Sequence, residues 1–393
     1  MKKSHQQLAD RTKHLEPEGA YAFLAKAQQM EAEGREIIHL EIGQPDFLTF
    51  DNIGISGIRA IVTGQTRYTP SAGIPALREA IAQDTGNRIG MSLTADQVVV
   101  GPGAKPLLFF PMMALLEPGD EVIYPDPGFP SYRAIIETMG AVPIPIGLKE
   151  EKDFSFDMDP FKEKINERTR LIIINSPSNP TGGIIPDEDL ETIAEAAKKY
   201  DSWVLSDEIY TRLIYTNHPV RSIMTLPGMA ERTIIMDGFS KTYAMTGWRL
   251  GYGIMPPQLA ETVGLLLTHS VGCTATFTQI AGIEALTGPQ DQVERVRNIF
   301  QERRDVIVKG LNDIPGITCR NPQGAFYVFP NIKSFGRTSD EMANYLLKES
   351  GVCLLPGTSF GHLGEGYLRL CYANSIEAIK KALEKMKEAL KKL

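Results

Sequence analysis

The chain is 393 residues long, 42% hydrophobic and 23% charged, with 41 Lys and Arg against 48 Asp and Glu and a net charge of −7. That length exceeds one simple core and fits a large domain with a smaller one, in the composition of an ordinary globular protein. The acidic balance argues against nucleic acid or a membrane surface as a partner.

No uninterrupted apolar run reaches membrane-spanning length, and Met1–Gln7 has no apolar stretch behind it, so a cytoplasmic location is expected. Cys273, Cys319, Cys353 and Cys371 are scattered without a CxxC pair and read as reduced core residues. The six histidines show no HxH or HExxH spacing, so no metal is expected.

Apolar positions at helical spacing (Ala20, Phe23, Leu24, Ala27, Met30) predict a helix within residues 13–34, stopped by Gly34. A short strand at 37–40 runs into Gly43-Gln44-Pro45-Asp46-Phe47, where a glycine can set backbone amides against a ligand. A helix near 52–63 precedes the turn-rich Arg67–Gly73, which carries Tyr68, and a second helix follows at about 74–88. Val98–Val100 predicts a strand ending in Gly101-Pro102-Gly103-Ala104-Lys105, with a mostly apolar helix from there to about Leu116. Glycines between a strand and a helix offer free N–H groups at the positive end of the helix dipole, which suits a phosphate; the plain alternative is a tight turn. The pattern matches neither Walker A nor GxGxxG. The strand Glu121–Tyr124 leads into a proline-rich loop, 125–132, rigid enough to hold Phe129 as a flat stacking platform or as a packing aromatic.

Three apolar strands then follow, Leu171–Ile174, Trp203–Leu205 and Thr233–Met236, with a strong helix pattern at 187–200 between the first two. This is the spacing of right-handed crossovers in a largely parallel sheet, whose strand ends share one edge. Asn179, Asp207, Tyr210 and Lys241 should therefore converge, with Ser240 beside the lysine and Arg249 eight residues on as a cation suited to phosphate. A lone loop lysine is ordinarily a solvated charge. An asparagine, a carboxylate, a phenol and a lysine in one crevice are hard to explain as packing. Helical segments from about 255 and at 279–287 lead into a long charged helix at 290–311. The remainder reads as α+β, with strands at Ala325–Phe329, Val352–Leu355 and Tyr367–Tyr372 and helices at 339–349 and 376–392. Arg369 sits in the middle of an apolar strand, where it needs an anion, either as a buried ion pair or as a carboxylate receptor.

Pyridoxal phosphate needs a lysine for its aldehyde, a carboxylate for its ring nitrogen, donors to its ring hydroxyl and a cup for its phosphate. Lys241, Asp207, Tyr210 with Asn179, and Arg249 with the Gly103-Ala104 helix start fill those roles. With these residues in the same order as its motifs, the chain resembles the fold-type I, pyridoxal-phosphate-dependent class I/II aminotransferases, and is similar to the aspartate aminotransferases. The resemblance runs from Gly43-Gln44-Pro45-Asp46 and Tyr68-Thr69-Pro70 through Asn179-Pro180-Thr181-Gly182 and Ser206–Tyr210 to Ser240-Lys241 and Arg369.

The resemblance implies a mostly parallel seven-stranded sheet sandwiched by helices in a large domain over 51–290. Residues 1–50 would be an N-terminal arm and part of the small domain, and 291–393 the small α+β domain, which draws on both termini. It implies a homodimer in which Tyr68 reaches the other subunit's cofactor phosphate. Lys241, Asp207 and Tyr210 would be catalytic, with Phe129 stacked on the cofactor and Gly103, Ala104, Lys105, Ser240 and Arg249 around its phosphate side. Arg369, Gly43 and Asn179 would bind substrate. Departures are Gly238, where many relatives have a phosphate-binding serine, and Phe129, where the aspartate enzymes usually have tryptophan. Lys105 matches a lysine that in a bacterial subgroup receives a distal carboxylate, while Glu18 falls where that subgroup has a small hydroxyl residue. The expected reaction is ping-pong transamination of aspartate or glutamate with 2-oxoglutarate. Aromatic or basic donors, or a lyase or oxidase on the same scaffold, are the alternatives. A ligand-sensing regulator would need an added basic DNA-binding domain, which the sequence does not show.

Overall fold

A computed structural model of the chain describes residues 8–13, 15–216 and 220–393. The reading of Met1–Gln7 lies outside the described residues. The first helix is Gly19–Ala32, shorter than the 13–34 window because its apolar positions begin only at Ala20. Strand β1 (Ile38–His39) follows, and its partner comes from the far end of the chain.

The main sheet is built from β2 (Val98–Gly101), β3 (Glu121–Asp126), β4 (Val142–Lys149), β5 (Ser155–Phe156), β6 (Thr169–Asn175), β7 (Trp203–Asp207), β8 (Thr233–Gly238) and β9 (Gly251–Ile254). Their order is β2-β9-β8-β7-β6-β3-β4-β5. From β8 to β4 all neighbours are parallel, while β9 lies antiparallel between β8 and β2. Among the described residues the sheet thus has eight strands where seven were expected. The extra one is the two-residue β5, formed where the chain turns back through Asp153 and Phe154, both at positive φ, to pair with Leu148 and Lys149.

Alternation along β6 explains the layers. Leu171 and Ile173 pack into the core on one face, Ile172 and Ile174 into the core on the other, and all four are fully buried. Each such side chain contributes about 1.5–3 kcal/mol of burial. Helices Pro106–Leu115 and Pro257–Thr268 cover the first face, and Met158–Lys164 with Asp187–Lys199 the second.

The sequence reading passed over β4 and β9. Pro143 and Pro145 argue against a strand, but Val142 N donates to Asp120 O on the β3 side, so the two prolines turn their missing N–H toward the open edge. In β9, Gly251 faces the backbone of Gly103 and Ala104 so closely that no Cβ would fit.

The C-terminal segment adds β10 (Tyr327–Val328), β11 (Val352–Cys353), β12 (Leu355–Pro356) and β13 (Leu368–Cys371). The single strand expected at 352–355 is divided: β11 pairs parallel with β1, while β12 joins β13 and β10 in an antiparallel sheet. This α+β part is therefore closed by both ends of the chain. Helices Asp291–Asn312, Ser339–Ser350 and Ile376–Leu390 complete it. Among the described residues no helix is long and apolar enough to cross a membrane.

Candidate active site

Register sets the site. Asn175 at the end of β6 pairs with Asp207 at the end of β7, and Gly238, Gly251 and Gly101 stand side by side at the ends of β8, β9 and β2. Over this edge lies a cavity of about 710 Å³. Ala104, Lys105, Phe129, Asn179, Asp207 and Tyr210 line it, together with Ser240, Lys241, Arg249, Gly43 and Arg369. Gly103 lies just behind: at φ 94° it lets the Arg249 guanidinium occupy the space a Cβ would need. Tyr68 is not among the lining residues and is 98% exposed in the single chain.

Lys241 sits on the four-residue helix Phe239–Thr242 that follows β8, and its Nζ donates to Gly43 O at 2.7 Å. Loss of hydration, with the Arg369 and Arg249 charges nearby, brings its ammonium down to about 8. An amine that sheds its proton so near neutrality can act as nucleophile and base. Asp207 is buried; its Oδ2 accepts from Tyr132 OH at 2.6 Å and its Oδ1 from Ile209 N at 3.3 Å. Burial lifts this carboxyl to about 7, against the pull of the Tyr132 hydrogen bond. A cation facing it would restore its charge.

Tyr210 and Tyr327 share a hydrogen bond at 2.8 Å between their hydroxyls, and burial pushes both phenols up. The Tyr327 hydroxyl also crowds Gly43, where it leaves no room for a side chain. Asn179 is fixed by its backbone, whose N–H donates to Asn175 Oδ1 at 2.8 Å, while its own Oδ1 has no partner. Arg369 is buried between the Tyr327 ring at 4.6 Å and the Phe360 ring at 5.0 Å. Its Nη2 donates to Glu41 O, its Nε has no partner, and among the described residues no carboxylate pairs with it. That geometry leaves a cavity-lining guanidinium with no ion-pair partner among the described residues.

On the rim, Lys105 forms an ion pair with Glu18 and lies 5.1 Å from the Phe129 ring centroid. Arg249, at φ 54°, is anchored by Nη1 donating to Thr246 O at 2.9 Å. The arrangement offers an amine that loses its proton more readily than an ordinary lysine, a buried acid awaiting a cation, and a cationic strand-to-helix turn. The unpartnered Asn179 and Arg369 atoms add free polar capacity. These donors suit a phosphorylated, cationic heteroaromatic aldehyde, and pyridoxal phosphate has that chemistry.

Sequence reasoning missed Tyr132, Tyr327, Asn175 and Glu41. Tyr132 had a signal, its place three residues after Phe129 at the start of helix Ser131–Thr138. Tyr327 lies in the apolar run Ala325–Phe329, where a phenol reads as packing.

Comparison with known proteins identifies the family. Residues 35–386 match the family described as Aminotransferase class I and II. The aspartate aminotransferase of Pyrococcus horikoshii is 41% identical over 367 residues, 93% of this chain and 92% of that protein. The chain belongs to the class I and II aminotransferases. An aromatic aminotransferase structure from Pyrococcus horikoshii OT3 superposes with a TM-score of 0.89 at 37% identity, over 93% of this chain and 99% of that one. Thermus thermophilus aspartate aminotransferase with maleate gives 0.93 at 35%, over 98% and 100%. The protein is accordingly a pyridoxal-phosphate-dependent aminotransferase of fold type I.

Proposed function

We propose that this aminotransferase exchanges the α-amino group of aspartate or glutamate with 2-oxoglutarate in two half-reactions, in the cytoplasm and as a homodimer. Bound pyridoxal phosphate supplies the electron sink that makes the substrate Cα–H acidic. Lys241 would hold the cofactor aldehyde, and its free amine would carry the substrate Cα proton. Asp207 would keep the ring nitrogen protonated, and Tyr210 and Asn179 would serve the ring hydroxyl. Phe129 would cover the ring. Ser240, Arg249 and the Gly103-Ala104-Lys105 turn would hold the phosphate, with Tyr68 reaching in from across the dimer. Arg369 binds the α-carboxylate through its planar fork, beside the Gly43 backbone and Asn179.

The observation that carries the acidic-substrate reading is Lys105, a half-exposed cation at the rim of the cavity, whose Glu18 partner a distal carboxylate would replace. The Glu18 partner and the Phe129 and Phe360 walls favour a second reading, aromatic donors, because Glu18 already neutralises that cation. Specificity constants for aspartate, glutamate and tyrosine in wild type, Lys105→Ala and Glu18→Gln decide between them. The acidic reading expects Lys105→Ala to depress aspartate and glutamate about tenfold more than tyrosine, and Glu18→Gln to favour the acids. Equal losses on all three donors would leave Lys105 with the phosphate alone and pass the assignment to aromatic donors.

A further inference from the structure

The segment Glu41-Ile42-Gly43 carries two contacts of the site on its backbone. Glu41 O accepts from Arg369 Nη2, and Gly43 O accepts from Lys241 Nζ. The Glu41 side chain has no part in the reaction described above, yet it is fully buried and its Oε2 has no hydrogen-bond partner. Its Oε1 meets His39 Nδ1 at 2.7 Å, and the other ring nitrogen meets Glu31 Oε1 at 3.1 Å. Burying a carboxylate this completely is expensive unless a cation faces it.

The groups around the pair leave His39 as that cation. Cys353 lies opposite His39 in the β1–β11 ladder, and its thiol is pushed up by burial and by Glu41. Lys26, on the helix Gly19–Ala32, is committed to Asn344 Oδ1 at 2.9 Å. Arg369 reaches only the Glu41 carbonyl. Burial works against a charge on His39, but the hydrogen bonds to Glu41 and Glu31 outweigh it and raise the imidazole above its usual range.

We propose that His39 is a positioning residue for the α-carboxylate site: its charge, held between Glu31 and Glu41, fixes the buried Glu41 and with it the carbonyls presented to Arg369 and Lys241. This rests on the reading of Arg369 and Gly43 as the α-carboxylate receptor. When His39 loses its proton, the buried Glu41 carboxylate loses the charge that faces it, and the backbone running from it to Gly43 loses that anchor. The coupling is reciprocal: if a charged His39 favours carboxylate binding, a bound carboxylate favours a charged His39 by the same factor.

The test uses the holoenzyme, its His39→Gln variant and a second variant, Glu31→Gln, which alters only the half-exposed outer contact. His39→Gln should raise KM for amino donors about fivefold, the low end of coupling between sites, with kcat within about twofold. Glu31→Gln should do the same to a smaller degree. In wild type KM should climb as pH rises through the His39 ionisation, and this climb should be absent from His39→Gln. By NMR, saturating maleate or hydrocinnamate, one dicarboxylate and one aromatic monocarboxylate, should move the His39 titration to higher pH. A His39→Gln enzyme with wild-type KM and pH profile overturns the proposal, as does a His39 titration that a bound carboxylate leaves in place. Failure of both carboxylates to bind wild type sinks the receptor reading, and the proposal with it.

Discussion

At the residue scale, Lys241 and Asp207 are displaced in opposite directions by the same burial. Desolvation disfavours charge on both, so the amine falls to about 8 and the acid rises to about 7. Lys241→Ala should lower transamination at least about 100-fold. Borohydride should fix the cofactor covalently to wild type and not to the variant; a variant still labelled would move the attachment to another lysine. For Asp207 the sign follows from its raised value in the cofactor-free protein. Its contribution to stability is complete below the unfolded carboxylate range and is lost as pH climbs through about 7, at about 1.4 kcal/mol for each tenfold change in its acidity. The cofactor-free wild type should therefore lose melting temperature relative to Asp207→Asn between pH 5 and 8. Parallel curves would show that Asp207 bears no such penalty. Lys241, Asp207 and Arg369 were legible in the sequence because a charge after or within an apolar strand has few explanations. Tyr132 and Tyr327 were not, since a phenol satisfies a core with its ring and shows its second role only when a hydroxyl partner arrives from distant sequence.

At the element scale, the strands that announced themselves were those buried on both faces, β6, β7 and β8, where apolar runs end in polar turns. The others depend on neighbours the sequence does not reveal. β9 is two glycines and two apolar residues whose extended form comes from lying between β8 and β2. Residues 352–355 look like one strand but serve two sheets. In β4, Pro143 and Pro145 deny the outer edge its donors beyond the short stretch that β5 covers. Replacing both by valine should leave the melting temperature within a few degrees, a change of about 1 kcal/mol, because neither proline donates to β3 and valine suits a strand. It should also raise light scattering on incubation, since the edge regains free N–H groups. A double variant that stays as monodisperse as wild type would show that the prolines do not guard the edge.

At the scale of the whole molecule, the helix Asp51–Val62 is apolar on two sides. Ile53, Gly57 and Ala60 face inward and are buried, while Ile55, Ile58, Ile61 and Val62 are exposed, Val62 at 76%. Leu48, at 90%, and Tyr68 lie at either end of the same stretch of chain. Isolated exposed apolar residues are ordinary, but a row along one helix beside a fully exposed tyrosine is surface that a partner removes from water. A second copy of the chain is the proposed cover, and it would tie assembly to the cofactor, because Tyr68 does not line the active-site cavity of its own subunit. Ile58→Asp with Val62→Asp places two charges on that face. It should turn a dimer into a monomer by light scattering after gel filtration, and weaken cofactor retention on dialysis at the same time. Tyr68→Phe should separate the two effects: the dimer persists, because the ring stays, while cofactor affinity drops by about 1.5–3 kcal/mol for one lost hydrogen bond to a charged phosphate. A wild type that runs as a monomer, or a Tyr68→Phe enzyme that keeps its cofactor as tightly as wild type, would break the link between the interface and the site.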